Sequence, residues 1–132
     1  MKIRIPNLLL FFFLSTTFGQ SNDRTYLGHD HNYSSVYSYG ISEITIHSDS
    51  TYTRKNWSVN NKKEWKTYKN YKPEISNGKI TRNGEFYSMT EYRNGHKTDY
   101  SWTIKISEKR LNYYYPNKKE KLRISAKYKR IR

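Results

Sequence analysis

The sequence predicts an all-β protein: an antiparallel meander of seven or eight strands that closes, fully or partly, into a small barrel, or else stacks as a two-sheet sandwich. Three observations predict it. Short runs alternate polar and apolar residues, as strands with one buried face require. The dipeptide Asn-Gly, which favours two-residue hairpin turns, occurs three times between such runs, and no segment carries a sustained helical stripe. Tyr and Trp also dominate the material for a core. Beyond residue 19 the chain has 14 Tyr and 3 Trp against 15 Leu, Ile, Val and Phe together. So few aliphatic residues would leave a chain disordered, and the core is therefore expected to be aromatic, each packed ring burying roughly 150–250 Å².

Lys2 and Arg4, an apolar run over residues 8–14 and a small-residue exit over 15–19 read as an export signal, with Thr17 and Gly19 placing cleavage before Gln20. The run is far shorter than the roughly 20 residues that span a bilayer. The chain is therefore expected to be exported, to the periplasm or out of the cell. Residues 20–32 read as a flexible polar lead-in, and 33–132 as a single β domain with order beginning at Tyr33.

Within that domain, Ile44 and Ile46, set between Glu43, Thr45 and His47, mark a strand, and Ser48-Asp49-Ser50 turns the chain after it. Trp65, Tyr68 and Tyr71, three apart, fit either one helical turn or an irregular strand. Asn77-Gly78, Asn83-Gly84 and Asn94-Gly95 are expected as turns bounding a short strand over 79–82 and a longer one over 85–92. Tyr100, Trp102, Ile104 and Ile106 alternate with polar neighbours, and Leu111, Tyr113 and Tyr115 follow. Residues 116–121 separate these from a last strand, where Leu122, Ile124, Ala126 and Tyr128 alternate with Arg123, Ser125, Lys127 and Lys129.

Cysteine is absent, which excludes disulfides, thiolate metal sites, a Cys nucleophile and a lipid-bearing Cys. No nucleophile-elbow, phosphate-loop or metalloprotease spacing occurs, so neither enzymatic activity nor a cofactor is expected. His29 and His31 share one side of an extended chain, and Asp30 adds an oxygen. A metal would need a third ligand from His47, His96 or Asp99, and a solvated polar segment is the preferred account.

The formal charge is +14, and removal of the leader takes away two cations and no acid, leaving +12. Outside the cytoplasm the polyanions met are lipid head groups, acidic glycans and wall polymers, so no nucleic-acid partner is expected. The segment from Lys62 to Lys72 interleaves Lys with Trp65, Tyr68 and Tyr71. Cations beside rings can hold sugars or bases, but rings packed inward with Lys in water account for it more simply.

The series Asp49-Ser50-Thr51-Tyr52, Asn77-Gly78-Lys79-Ile80, Trp102-Thr103-Ile104 and Tyr128-Lys129-Arg130-Ile131 resembles short exported bacterial lipocalin-like β-barrel domains, over residues 40–131. Lipocalins proper carry Gly-x-Trp on the first strand, where this chain has Gly28-His29-Asp30. The resemblance implies an up-and-down barrel that takes an apolar or amphipathic small molecule at its mouth. The residues themselves suggest a pocket lined by inward rings, Trp102 and Tyr113 foremost, with Tyr100, Trp65 and Tyr68. In the alternative, Arg123, Lys127 and Lys129, which share one parity of the last strand, bind anionic glycan, lipid head groups or an envelope partner, with peripheral membrane contact.

Overall fold

The computed structural model describes residues 22–32 and 38–132; the expected leader, 1–19, and the expected start of order at Tyr33 lie outside the described residues. Eight strands in chain order form a closed antiparallel barrel, so the barrel and not the sandwich is the architecture. They are β1 (Arg24–Asn32), β2 (Ser38–Ile46), β3 (Thr51–Val59), β4 (Glu74–Asn83), β5 (Phe86–Arg93), β6 (His96–Ile106), β7 (Arg110–Pro116) and β8 (Leu122–Arg130). Closure is made by β8 returning to β1 through the pairs Tyr26↔Arg130 and Leu27↔Lys129. Closing the sheet there pairs part of the two edges that a meander of this length would otherwise leave open.

The β1 segment corrects the expectation of a flexible lead-in: Arg24–Asn32 pairs with β2 along its whole length. Its inward face holds Tyr26, then Gly28 and Asp30, so only one residue of that face is apolar and periodicity had nothing to register.

Turn chemistry explains most connections. Asn94 (φ 52°) and Gly95 (φ 78°) form the two-residue turn between β5 and β6, and Gly84 (φ 65°) opens the one between β4 and β5. The Asp49 carboxylate accepts from Thr51 N at 3.1 Å and Thr51 Oγ1 at 2.6 Å, fixing the β2–β3 return. Asn77-Gly78, however, is no turn; it lies inside β4. Gly78 is required there by close approach, because a Cβ would lie 1.9 Å from the Thr90 carbonyl oxygen and 2.7 Å from Tyr52 Cε1.

The connections β3–β4, β5–β6 and β7–β8, the last residues of β1 and the first of β2 lie at one end of the barrel, here called the mouth. Away from the mouth the interior is solid. Tyr26, Ile44, Tyr52, Met89, Ile104 and Leu111 are fully buried, joined by Tyr113 and Tyr128. An eight-stranded barrel is just wide enough to be filled in this way.

A second core lies outside the barrel. The outward residues of β2 and β3, Tyr39, Ile41, Trp57 and Val59, are covered by Tyr68 and Trp65 of a 3₁₀ helix spanning Lys62–Asn70. Of the two readings of the Trp65-Tyr68-Tyr71 spacing, the helical one forms. The carboxylate of Glu43 is buried beneath this helix, where it accepts the Tyr68 hydroxyl and sits 3.9 Å from Lys69 Nζ and 3.5 Å from Arg132 Nη2.

One irregularity reshapes the last strand. Tyr113 pairs with Ala126 but Tyr114 pairs with Ile124, so β8 carries one extra residue at Ser125. The insertion reverses the facing of everything before it. Ala126 and Tyr128 point inward as expected, whereas Leu122 and Ile124 turn out and are 40% and 45% exposed.

Candidate functional site

The mouth half of the interior is a cup rather than a core, because the inward positions of the strands become polar there. On β3 the inward series runs from buried Tyr52 to Arg54, Asn56 and Ser58; β2 contributes Ser42 and Gly40, β1 Gly28 and Asp30, and β4 Ser76 and Glu74. Two lobes of about 550 and 580 Å³ share Arg54, Asn56 and Glu74. The first also reaches Ala126, Lys127 and Tyr128, since β1 and β8 pair only at their far ends and the seam between them opens toward the mouth. The second is bounded by Glu91, Arg93, Tyr100 and Trp102.

Arg54 is the centre of this cup. Its guanidinium carbon lies 5.2 Å from the centre of the Trp102 ring and 5.9 Å from that of Tyr113, so the cation rests on the top of the aromatic plug. Its Nε donates to Asn56 Oδ1 at 3.1 Å and to Ser42 Oγ at 3.4 Å, and Ser42 itself donates to Asn56 at 2.6 Å. Among the described residues no carboxylate oxygen comes within 4.0 Å of the guanidinium. The nearby buried carboxylate, Glu91, has the largely exposed Arg93 Nε 2.9 Å from its Oε2, an ion contact whose geometry makes no hydrogen bond. A half-buried cation held by neutral groups alone retains unspent capacity for an anion.

Beneath Arg54 the Tyr52 and Tyr113 hydroxyls are buried with no hydrogen-bond partner among the described residues. Burial pushes the Tyr52 phenol up to about 12, with the Glu91 charge adding to the effect and Arg54 opposing it. Burial also raises Tyr113, against the pull of Arg54. Both phenols therefore stay neutral at ordinary pH, and the positive charge of Arg54 is not cancelled from below.

The other end of the barrel has a recess of about 800 Å³ lined in part by Ile46, Ile80, Tyr87 and Ile106. At that end the buried phenol of Tyr26 donates to the Ser107 carbonyl at 2.6 Å.

The structure brings together only part of the expected ligand-binding set. Trp102 and Tyr113 meet under Arg54. Tyr100 stands on the rim, 56% exposed, because β6 gains residues opposite Glu91 and its alternation breaks there. Trp65 and Tyr68 belong to the outer core and line neither lobe, since the helix that carries them packs on the outside of the sheet. The expected basic trio is divided as well: Lys127 and Lys129 stand outward opposite Asn112 and Arg110, while Arg123, beyond the bulge, stands opposite Tyr115 on the other parity.

His29 and His31 are on the outer face of β1. His29 stacks on Trp65 at 3.9 Å and its Nδ1 meets the Tyr39 hydroxyl, while partial burial and the Lys62 charge lower its pKa. His47 is occupied elsewhere, with Asp23 at 2.9 Å, and no group of three metal-binding side chains occurs among the described residues.

Arg54, Asn56, Ser42 and Glu74 did not emerge from the sequence. The available signal was the parity of Arg54 and Asn56 with Tyr52, which sets three non-adjacent residues on one face of a strand whose other face ends in Trp57 and Val59. Comparison with protein-family models, with curated proteins and with solved structures gave no match.

Proposed function

We propose that this chain is an exported binding protein that holds a small amphipathic ligand in the mouth-side cup, with an anionic or strongly polar head against Arg54. The observation that carries this reading is the Arg54 guanidinium, stacked on Trp102 and Tyr113, opening into both lobes and lacking a carboxylate partner among the described residues. A wholly apolar occupant fits poorly, because it would strip water from Arg54, Asn56 and Glu74 without replacing their hydrogen bonds. An amphiphile answers both parts: its head replaces water at Arg54, and its apolar part lies toward the rim beside Tyr100.

The resemblance to short lipocalin-like domains supports the same reading at the level of the barrel, and the apolar leader supports export.

The test is a titration of the protein with dodecanoate and with dodecanol, followed by Trp emission. Dodecanoate is expected to saturate and dodecanol to bind at least about tenfold more weakly, given roughly 1.5–3 kcal/mol for hydrogen bonds to a charged group. Arg54→Met should abolish the difference and Trp102→Phe most of the signal. Equal binding of the two probes, or a preference that survives Arg54→Met, defeats the proposal.

A further inference from the structure

The rim of the cup carries a feature that ligand binding does not require. Among the described residues the large apolar or aromatic side chains that stand exposed are seven, and six of them, Tyr71, Ile75, Tyr100, Tyr115, Leu122 and Ile124, lie on the strand ends and connections at the mouth. Only Ile131 lies at the other end. Single exposed apolar residues are ordinary, but a collection confined to one end of a barrel marks a contact surface. Leu122 and Ile124 are there through a specific device, since without the extra residue at Ser125 both would share the inward parity of Ala126 and Tyr128.

The charge around these side chains identifies the occupant. The turn between Tyr115 and Leu122 carries Lys118, Lys119 and Lys121, all exposed, on a loop ordered by Asn117 Oδ1, which accepts from Lys119 N at 2.9 Å and Lys121 N at 3.0 Å. Lys72 stands between Tyr71 and Ile75. The exposed carboxylates of this end, Asp30, Glu74, Asp99 and Glu120, are outnumbered by the lysines of the 3₁₀ helix and of the 117–121 turn. Phenols suited to the head-group level, aliphatic side chains able to enter the acyl boundary and flexible ammonium groups beside both are the chemistry of an interfacial site. We propose that the mouth end of the barrel docks on an anionic lipid bilayer, with the β7–β8 lip as its principal contact. The inference rests on the rim and not on occupancy of the cup.

The experiment is co-sedimentation of the protein with vesicles of phosphatidylcholine alone and of phosphatidylcholine with phosphatidylglycerol. Binding to the mixed vesicles is expected to exceed that to the neutral ones by at least about tenfold and to weaken with salt. Replacing Lys118, Lys119 and Lys121 by Gln should cost about fivefold per lysine. The double replacement Leu122→Ser and Ile124→Ser should cost at least about tenfold, while Ile131→Ser changes nothing. All these side chains are exposed, so far-UV circular dichroism should be unaltered, which separates lost docking from lost folding. Arg54→Met should leave vesicle binding intact, separating this proposal from the cup. It is overturned if the protein fails to sediment with anionic vesicles. It is equally overturned if the Leu122/Ile124 pair is silent while binding to heparin matches binding to vesicles, a general polyanion surface, or if the rim variants alter only self-association of the protein.

Discussion

The ring of Tyr128 fills the space that a side chain on residue 28 would need: a Cβ on Gly28 would lie 1.5 Å from Tyr128 Cδ1. This contact sits where the seam between β1 and β8 stops pairing, so Tyr128 wedges between the strands and the cup opens above it. Gly28→Ala must displace the ring, and overpacking of this kind costs about 1–3 kcal/mol. Much of that cost should disappear in a Tyr128→Leu background, the signature of two residues competing for one space. Urea unfolding of the two single variants and the double variant measures it; additive costs would show that the clash is relieved elsewhere.

Two buried tyrosines should respond oppositely to loss of their hydroxyls. Tyr26 donates to the Ser107 carbonyl at 2.6 Å, so Tyr26→Phe gives up a hydrogen bond and leaves that acceptor short, at about 0.5–1.5 kcal/mol. The hydroxyl of Tyr113 has no partner among the described residues, so Tyr113→Phe removes a polar atom that is costly to bury. It should leave stability unchanged or raise it. Thermal melting of the two variants gives the answer, and a Tyr113→Phe protein less stable than Tyr26→Phe contradicts the assignment.

Much of this barrel was legible from residues such as Ile104 and Asn94-Gly95, whose alternation and positive-φ turn act within a few positions of themselves. What escaped depends on neighbours far along the chain. Asn77-Gly78 has turn composition, yet Gly78 serves the ring of Tyr52 and the backbone of Thr90 across two strand pairs. The regular spacing of Leu122, Ile124, Ala126 and Tyr128 promised one face, and a single inserted residue divides it in two. Trp65 and Tyr68 signalled burial correctly, but burial against the outside of the sheet reads the same in sequence as burial inside it. Arg54 was hidden for a related reason. A polar residue on an inward face looks like an outward one until the barrel is closed around it.

Alkaline pH should unfold the protein, with the buried phenols as the cause. An unfolded Tyr52 loses its proton near 10.0, whereas the folded one keeps it to about 12. Between those values the unfolded chain binds fewer protons than the folded one, so stability is fully present below pH 10, falls as pH rises through that window and stops changing above it. Tyr26 and Tyr113 are shifted upward by burial and act in the same direction. Urea unfolding at neutral pH and again above pH 10 should show a loss of at most about 1.4 kcal/mol per pH unit from Tyr52 within that window, with Tyr26 and Tyr113 adding to it in the same direction. Tyr52→Phe should reduce the slope, and a slope that it leaves untouched removes Tyr52 from the account.

The outer core makes the last prediction. Glu43 has only 6% of its side chain exposed, while its cationic neighbours Lys69 and Arg132 are 61% and 55% exposed and well hydrated. The Tyr68 hydroxyl is therefore the partner that compensates the carboxylate where water cannot. It is also the link that ties the 3₁₀ helix to β2. Burial, and then the bond to Glu43, raise the Tyr68 pKa, as expected for a phenol whose proton is held by an adjacent carboxylate. Tyr68→Phe leaves a buried carboxylate oxygen without its donor and should cost about 1.5–3 kcal/mol. Glu43→Gln keeps an acceptor for Tyr68 and removes the buried charge, so it should cost less, the exposed cations losing little. Combining the two changes should cost less than their sum. Chemical denaturation monitored by Trp57, whose ring lies edge-on to Tyr68 at 4.7 Å, reports on this core directly. If Tyr68→Phe is the milder of the two single changes, hydration of Lys69 and Arg132 has not excluded them from compensating Glu43, and the helix is held by its ion pairs instead.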